Sequence, residues 1–239
     1  MSDFLEQDGM KAFISAVKSF EGTMKIEDVV CQTKLVTSFR AVVNNKRGID
    51  ALIESKGGAD MTKNLVKMIA ESKNVMMRTQ IVELMAAMCL YSQSGHEVVL
   101  ESLGEASGGD SFRVVDESMR FSIVSRWLRD DSEASAKMAV VSLINSIISA
   151  PSSIEKRMKL RSQFTHLNIH ESLEALKIQA TEQCEQELVS QIDVFFKGSS
   201  FPSPFISPQV IFLKQPNTET KSDANELRRL TTESPIDLT

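Results

Sequence analysis

Met138-Ala139-Val140-Val141-Ser142-Leu143-Ile144-Asn145-Ser146-Ile147-Ile148 is the stretch from which the fold can be read. It is three helical turns long and apolar at almost every angle around a 3.6-residue period. It stops at Ala150-Pro151, where proline removes a backbone donor and its ring clashes with the preceding turn. A helix with one neighbour needs one apolar stripe; a helix apolar nearly all round has neighbours on several sides. Residues 133–149 are therefore expected to form a central helix within stacked layers of helices.

Outward from that helix the chain repeats the same grammar. An amphipathic stretch over 8–20 spaces Met10, Phe13, Ile14, Val17 and Phe20 at helical intervals, and 27–45 places Val29, Val36, Phe39 and Val43 on one stripe. Asn44-Asn45-Lys46-Arg47-Gly48 reads as a glycine stop for that second helix. Further helices are expected over 49–54, 60–72, 76–92, 95–106, 114–129, 152–168, 170–181 and 183–197. Aligning the ends of two long helices sets Asn44 opposite Cys89, a spacing of 45 residues, within the roughly 40–47 of armadillo and HEAT repeats. The next repeat is longer, which points to an insertion at the loop holding Gly104, Gly108 and Gly109. The spacing, the buried central helix and the lack of strand signals favour an all-α, right-handed armadillo/HEAT-like solenoid over a four-helix bundle.

Proline marks a second boundary, because Pro202, Pro204, Pro208, Pro216 and Pro235 all follow residue 200. Residues 1–198 are expected to form the helical domain and 199–239 a Pro/Ser-rich, largely disordered tail, whose apolar patch Val210-Ile211-Phe212-Leu213 could dock back. Ser203-Pro204, Ser207-Pro208 and Ser234-Pro235 are candidate phosphorylation sites.

A formal charge of −5, with Lys and Arg dispersed, gives no electrostatic reason to expect nucleic acid or an anionic membrane as partner. Cys31, Cys89 and Cys184 are too few and too far apart for a disulfide framework or a zinc motif, so a reducing, cytoplasmic setting is expected. Neither a secretory signal nor a membrane span is evident. His166 and His170 stand four apart, a spacing that can share a metal, but Asn168 suggests a helix boundary between them and no third ligand is apparent, so no metal is expected. Trp127 and Tyr91 are read as packing residues, and Glu182, Glu185 and Glu187 as a solvated face. With no phosphate loop, nucleophile elbow or acid–base pair, neither catalytic residues nor a cofactor are expected, and the chain is read as no enzyme.

Three segments, in order, resemble the armadillo-like FH3, or diaphanous inhibitory, region of Rho-regulated formins. They are Phe39-Arg40-Ala41-Val42-Val43-Asn44-Asn45-Lys46-Arg47-Gly48-Ile49, Leu84-Met85-Ala86-Ala87-Met88-Cys89, and Leu143-Ile144-Asn145-Ser146-Ile147-Ile148 followed by Lys159-Leu160-Arg161-Ser162-Gln163-Phe164. Arg47 departs from the family's Phe after Asn-Asn-Lys. The GTPase-binding segment that precedes FH3 in the family is expected to be truncated or absent, and no FH1 or FH2 sequence is present.

The resemblance implies a protein-binding module of the actin-cytoskeleton machinery, cytoplasmic and cytoskeleton-associated. It would accept an amphipathic autoregulatory helix from a formin C-terminus in a concave groove, with a Rho-family GTPase as a second partner. By position, the groove residues would be Asn44, Leu84, Ala87, Leu90 and Asn145. On the helix 76–92 the stripe Met77, Ile81, Leu84 and Met88 would supply the core, while Glu83, Ala87 and Leu90 fall opposite; Asn44 could equally do no more than cap its helix. The alternative is a generic armadillo or HEAT adaptor with unrelated clients.

Overall fold

The computed structural model describes residues 9–20, 25–54, 57–108, 117–131 and 133–197. The expected tail, its Val210–Leu213 patch, the Ser-Pro sites and Gly109 lie outside the described residues.

Eleven helices account for nearly all described residues: α1 (Gly9–Lys18), α2 (Ile26–Val43), α3 (Lys46–Glu54), α4 (Gly58–Glu71), α5 (Val75–Tyr91), α6 (Gln93–Gly108), α7 (Ser122–Asp130), α8 (Ala134–Ser149), α9 (Ile154–His166), α10 (Ile169–Glu182) and α11 (Gln186–Lys197). They form a helical solenoid. After the opening pair α1–α2 come three triplets, α3–α5, α6–α8 and α9–α11, and the closing helix of each packs on that of the next, so α2, α5, α8 and α11 form one layer. From the end of α2 to that of α5 is 48 residues, from α5 to α8 is 58, and from α8 to α11 is 48. The long repeat is the one expected to carry an insertion.

Local chemistry explains the helix ends. Asn74 caps α5 by accepting from the Met77 N–H at 3.0 Å, and Ser153 starts α9 by accepting from the Lys156 N–H. The turns α9–α10 and α10–α11 each pass through one left-handed residue, Asn168 (φ 54°) and Cys184 (φ 60°). At the second, the Glu185 N–H reaches the Ala180 carbonyl (2.8 Å) and the Cys184 N–H the Thr181 carbonyl (3.2 Å), the paired bonds of a Schellman stop.

Two expectations need correcting. Gly48 does not end a helix. It lies inside α3, where an added Cβ would sit 2.5 Å from the Val43 Cα, so its role is close approach of two backbones. The turn is made by Asn45, whose side chain donates to the Val42 carbonyl (2.7 Å) and accepts from the Gly48 N–H (3.0 Å), closing α2 and opening α3 together. The helix expected over 114–129 is also shorter: a 3-10 turn at Glu117–Met119 precedes α7, which starts at Ser122.

The core runs the length of the solenoid. Phe13 stacks on Phe39 (4.4 Å) at one end and Phe121 on Phe164 (4.2 Å) further along. In α8, Leu143, Ile144 and Ile147 are wholly buried, each burial contributing about 1.5–3 kcal/mol. Arg78 of α5 forms a buried ion pair with Asp131 after α7 and donates to the Ser72 carbonyl at 2.9 Å, tying two triplets together.

Candidate partner-binding groove

Side-chain bonds fix how α2, α5 and α8 lie. Thr33 meets Asn74 (3.2 Å), Thr37 donates to Gln80 (3.0 Å), and Arg40 pairs with Glu83 (2.5 Å), so residue numbers rise together and α2 runs parallel to α5. The last two pairs are 43 apart in sequence, not the 45 inferred from helix ends. Asn44 is therefore level with Ala87, not with Cys89. At the α5–α8 boundary, Asp131 meets Arg78 near one end and the Ile147 carbonyl meets His96 Nε2 (3.0 Å) near the other, so α8 is parallel too.

Each helix keeps one stripe off the core. On α5 it is Met76, Gln80, Glu83, Ala87 and Leu90, three and four residues apart. Met76 and Leu90 at its ends are 59% and 37% exposed, Gln80 and Glu83 are half-buried, and Ala87 is only 4% exposed. Thr37, Arg40 and Asn44 flank this stripe from α2 and its C-cap, and Ser142, Asn145 and Ser149 are the half-buried positions in the C-terminal half of α8. The stripes of these three parallel helices lie side by side on one face, the candidate trough, polar at its middle and apolar at both ends of α5.

The expected groove residues occupy different places in it. Leu90 is accessible at the C-terminal end. Ala87 is on the accessible stripe by register, but its methyl is covered, so it is the floor and not a wall. Leu84, 2% exposed, lies on the core stripe with Met77, Ile81 and Met88, all buried. Asn44 ends α2 with its N–H on the Arg40 carbonyl (2.8 Å) at φ −77°, outside the left-handed region. Asn145 donates to the Gln191 carbonyl of α11 at 2.9 Å, bracing the next helix from the groove side.

Sequence reading missed the polar rungs Thr37–Gln80 and Arg40–Glu83, which nothing in either helix alone signals. It also missed what Tyr91 does. Its hydroxyl donates to Asp50 (2.6 Å) and Lys46 donates to it (3.4 Å), joining α3 to the end of α5 beside Leu90. The Tyr91 donor and then Lys46 hold the Asp50 carboxyl below its ordinary range, while burial and then Asp50 push the Tyr91 hydroxyl up. His166 and His170 fall on separate helices either side of Asn168, and His170 instead faces Glu174 (3.6 Å) and the edge of Phe196. Among the described residues no helix is long and apolar enough to cross a membrane.

Residues 110–199 match the family described as the Diaphanous FH3 Domain. The chain is 27% identical over 203 residues to Inverted formin-2 of Xenopus laevis, covering 84% of this chain and 17% of that protein. It is 25% identical over 195 residues to Formin-F of Dictyostelium discoideum (80% and 15%) and 28% identical over 148 residues to Protein diaphanous homolog 3 of Mus musculus (61% and 12%). The chain thus spans less than a fifth of the length of these relatives.

Proposed function

We propose that the chain, which is similar to the FH3 regions of formins, is a non-catalytic binding module that takes an amphipathic helix in the trough between α2, α5 and α8 and serves regulation of the actin cytoskeleton. The observation that carries this is the α5 stripe: apolar Met76 and Leu90 about 21 Å apart along the axis, with a small covered floor at Ala87 between Glu83 and Leu90. A helix needs such a floor to approach closely, and apolar ends to receive its anchors. In this reading the helix is the autoregulatory segment of a formin C-terminus, a Rho-family GTPase competes with it, residues 1–198 are the module, and the setting is cytoplasmic and cytoskeleton-associated. Titration of a C-terminal autoregulatory peptide of a formin against the full chain tests it. Saturable binding that Leu90→Asp abolishes is expected; no binding at high micromolar peptide overturns the peptide reading.

The second reading, a helical-repeat adaptor with unrelated clients, is favoured by the polar rungs Thr37–Gln80 and Arg40–Glu83, which make the trough's middle unlike a purely apolar slot. Affinity capture with the full chain separates the two: formins or Rho GTPases support the first, and their absence among reproducible partners supports the second.

A further inference from the structure

The hairpin α10–α11 is the last of the described helices, and its outer side is not wholly polar. Lys177 of α10 and Asp193 of α11 meet across it at 2.5 Å. The core residues Leu173, Leu176, Ile192 and Phe195 lie on one side of that line of contact. In an antiparallel pair, one further residue along each chain turns both to the other side, so Ile178 and Val194 share the outer face, 64% and 52% exposed. Glu171, Glu174 and Glu182 stand seven and four residues before and four after Ile178 on the same exposed stripe, and Glu187 stands seven before Val194. Over 169–197 there are six acidic residues and two lysines, a net of −4 in a chain of −5. Both lysines are engaged by Asp193, Lys197 at 3.3 Å.

An apolar pair set among carboxylates fits a short segment that joins apolar side chains to adjacent cations. The chain holds one after α11: Leu227-Arg228-Arg229-Leu230, outside the described residues. The Val210–Leu213 patch has the apolar part but only a single neighbouring cation, Lys214. Leu227 is 30 positions beyond Lys197, and a chain of that length can span up to about 100 Å, ample to return along α11. Tethering also gives a weak contact a local concentration in the millimolar range.

We propose that Leu227–Leu230 docks on the outer face of α10–α11, its leucines against Ile178 and Val194 and its arginines among Glu171, Glu174, Glu182 and Glu187. The contact is electrostatic at its rim, so it weakens with salt as exposed charges are screened.

The test uses the full chain with a photo-crosslinking phenylalanine derivative in place of Ile178, read by mass spectrometry on the monomer band. Crosslinks to residues 225–231 are expected, falling at least threefold in 0.5 M salt, or on Arg228→Glu with Arg229→Glu, or on Glu174→Arg with Glu182→Arg. Combining the two reversals should restore them. Circular dichroism melting verifies that each variant is folded; all the altered side chains on the helices are exposed. Crosslinks between two chains, crosslinks to Val210–Leu213, none to the tail, or no recovery in the combined reversal would each overturn the proposal.

Discussion

Arg40 and Glu83, 43 residues apart, form an ion pair at 2.5 Å that sets the register of α2 against α5 at the middle of the trough. The Thr37–Gln80 bond one turn earlier holds the same offset, so two independent contacts agree on one alignment.

Glu83→Lys places two cations at that rung and should lower stability by about 1 kcal/mol, the scale of a part-exposed pair reversed in sign. The exchanged pair, Arg40→Glu with Glu83→Arg, should recover most of the loss. Denaturant unfolding of the parent, Arg40→Glu, Glu83→Arg and the exchanged pair completes a double-mutant cycle that measures the coupling, and a cycle that closes at zero would mean the register is held elsewhere.

Leu90→Asp and Ala87→Asp should separate binding from folding. Leu90 is accessible, so its replacement should abolish peptide binding and leave the melting temperature within a few degrees of the parent. The Ala87 methyl is covered, so a carboxylate there should abolish binding and also cost about 1–3 kcal/mol, because a polar group loses water without gaining a partner. Equal melting temperatures for the two variants would contradict this placement of Ala87.

Asp131→Ala should be far more damaging than any surface change. It strands the Arg78 guanidinium in the interior between two triplets, and breaking a buried pair from one side costs about 3–5 kcal/mol. A fall of about 10 °C or more in melting temperature is expected for a chain of this size. The double replacement Arg78→Met with Asp131→Leu should cost less than Asp131→Ala alone.

His96 gives the fold a one-sided pH response. Its buried ring donates from Nε2 to the Ile147 carbonyl, and burial pushes its pKa below the ordinary 6.5, with Lys156 and Arg120 acting in the same direction and Glu97 and the carbonyl bond opposing. The unfolded ring therefore takes up a proton that the folded one resists. Stability is full above about pH 6.5 and declines as the pH falls through that value towards the folded pKa. Melting curves from pH 7.5 to 5.0 should fall more steeply for the parent than for His96→Gln, and parallel slopes would count against the argument.

Much of this architecture is legible in the sequence because burial on several sides leaves an unmistakable composition. Residues 138–148 announce a central helix, and most helix ends fall within three residues of where caps and prolines put them. What stays hidden depends on contacts between distant segments. Gly48 looks like a helix stop because a glycine needed for close backbone approach and one needed for a left-handed stop are the same letter. The 43-residue register rests on side chains that cross from α2 to α5, so helix ends alone misplace Asn44 by half a turn. Arg78 and Asp131 are separated by two helices and an insertion, and no local pattern pairs them. Leu84 fell among the groove residues through resemblance although its own stripe places it in the core, where the structure has it.

The common direction of α2, α5 and α8 gives the trough a polarity that no charged residue supplies. Backbone dipoles of parallel helices add, leaving partial positive charge where Lys25, Asn74 and Glu133 begin them and partial negative charge where Asn44, Ser92 and Ala150 end them. A helix laid in the trough therefore has a favoured direction, by about 0.3–1 kcal/mol at each end: its amino end is drawn to the edge marked by Leu90 and its carboxyl end to the edge marked by Met76. A ligand of the same composition written backwards would meet the same apolar anchors with its dipole opposed.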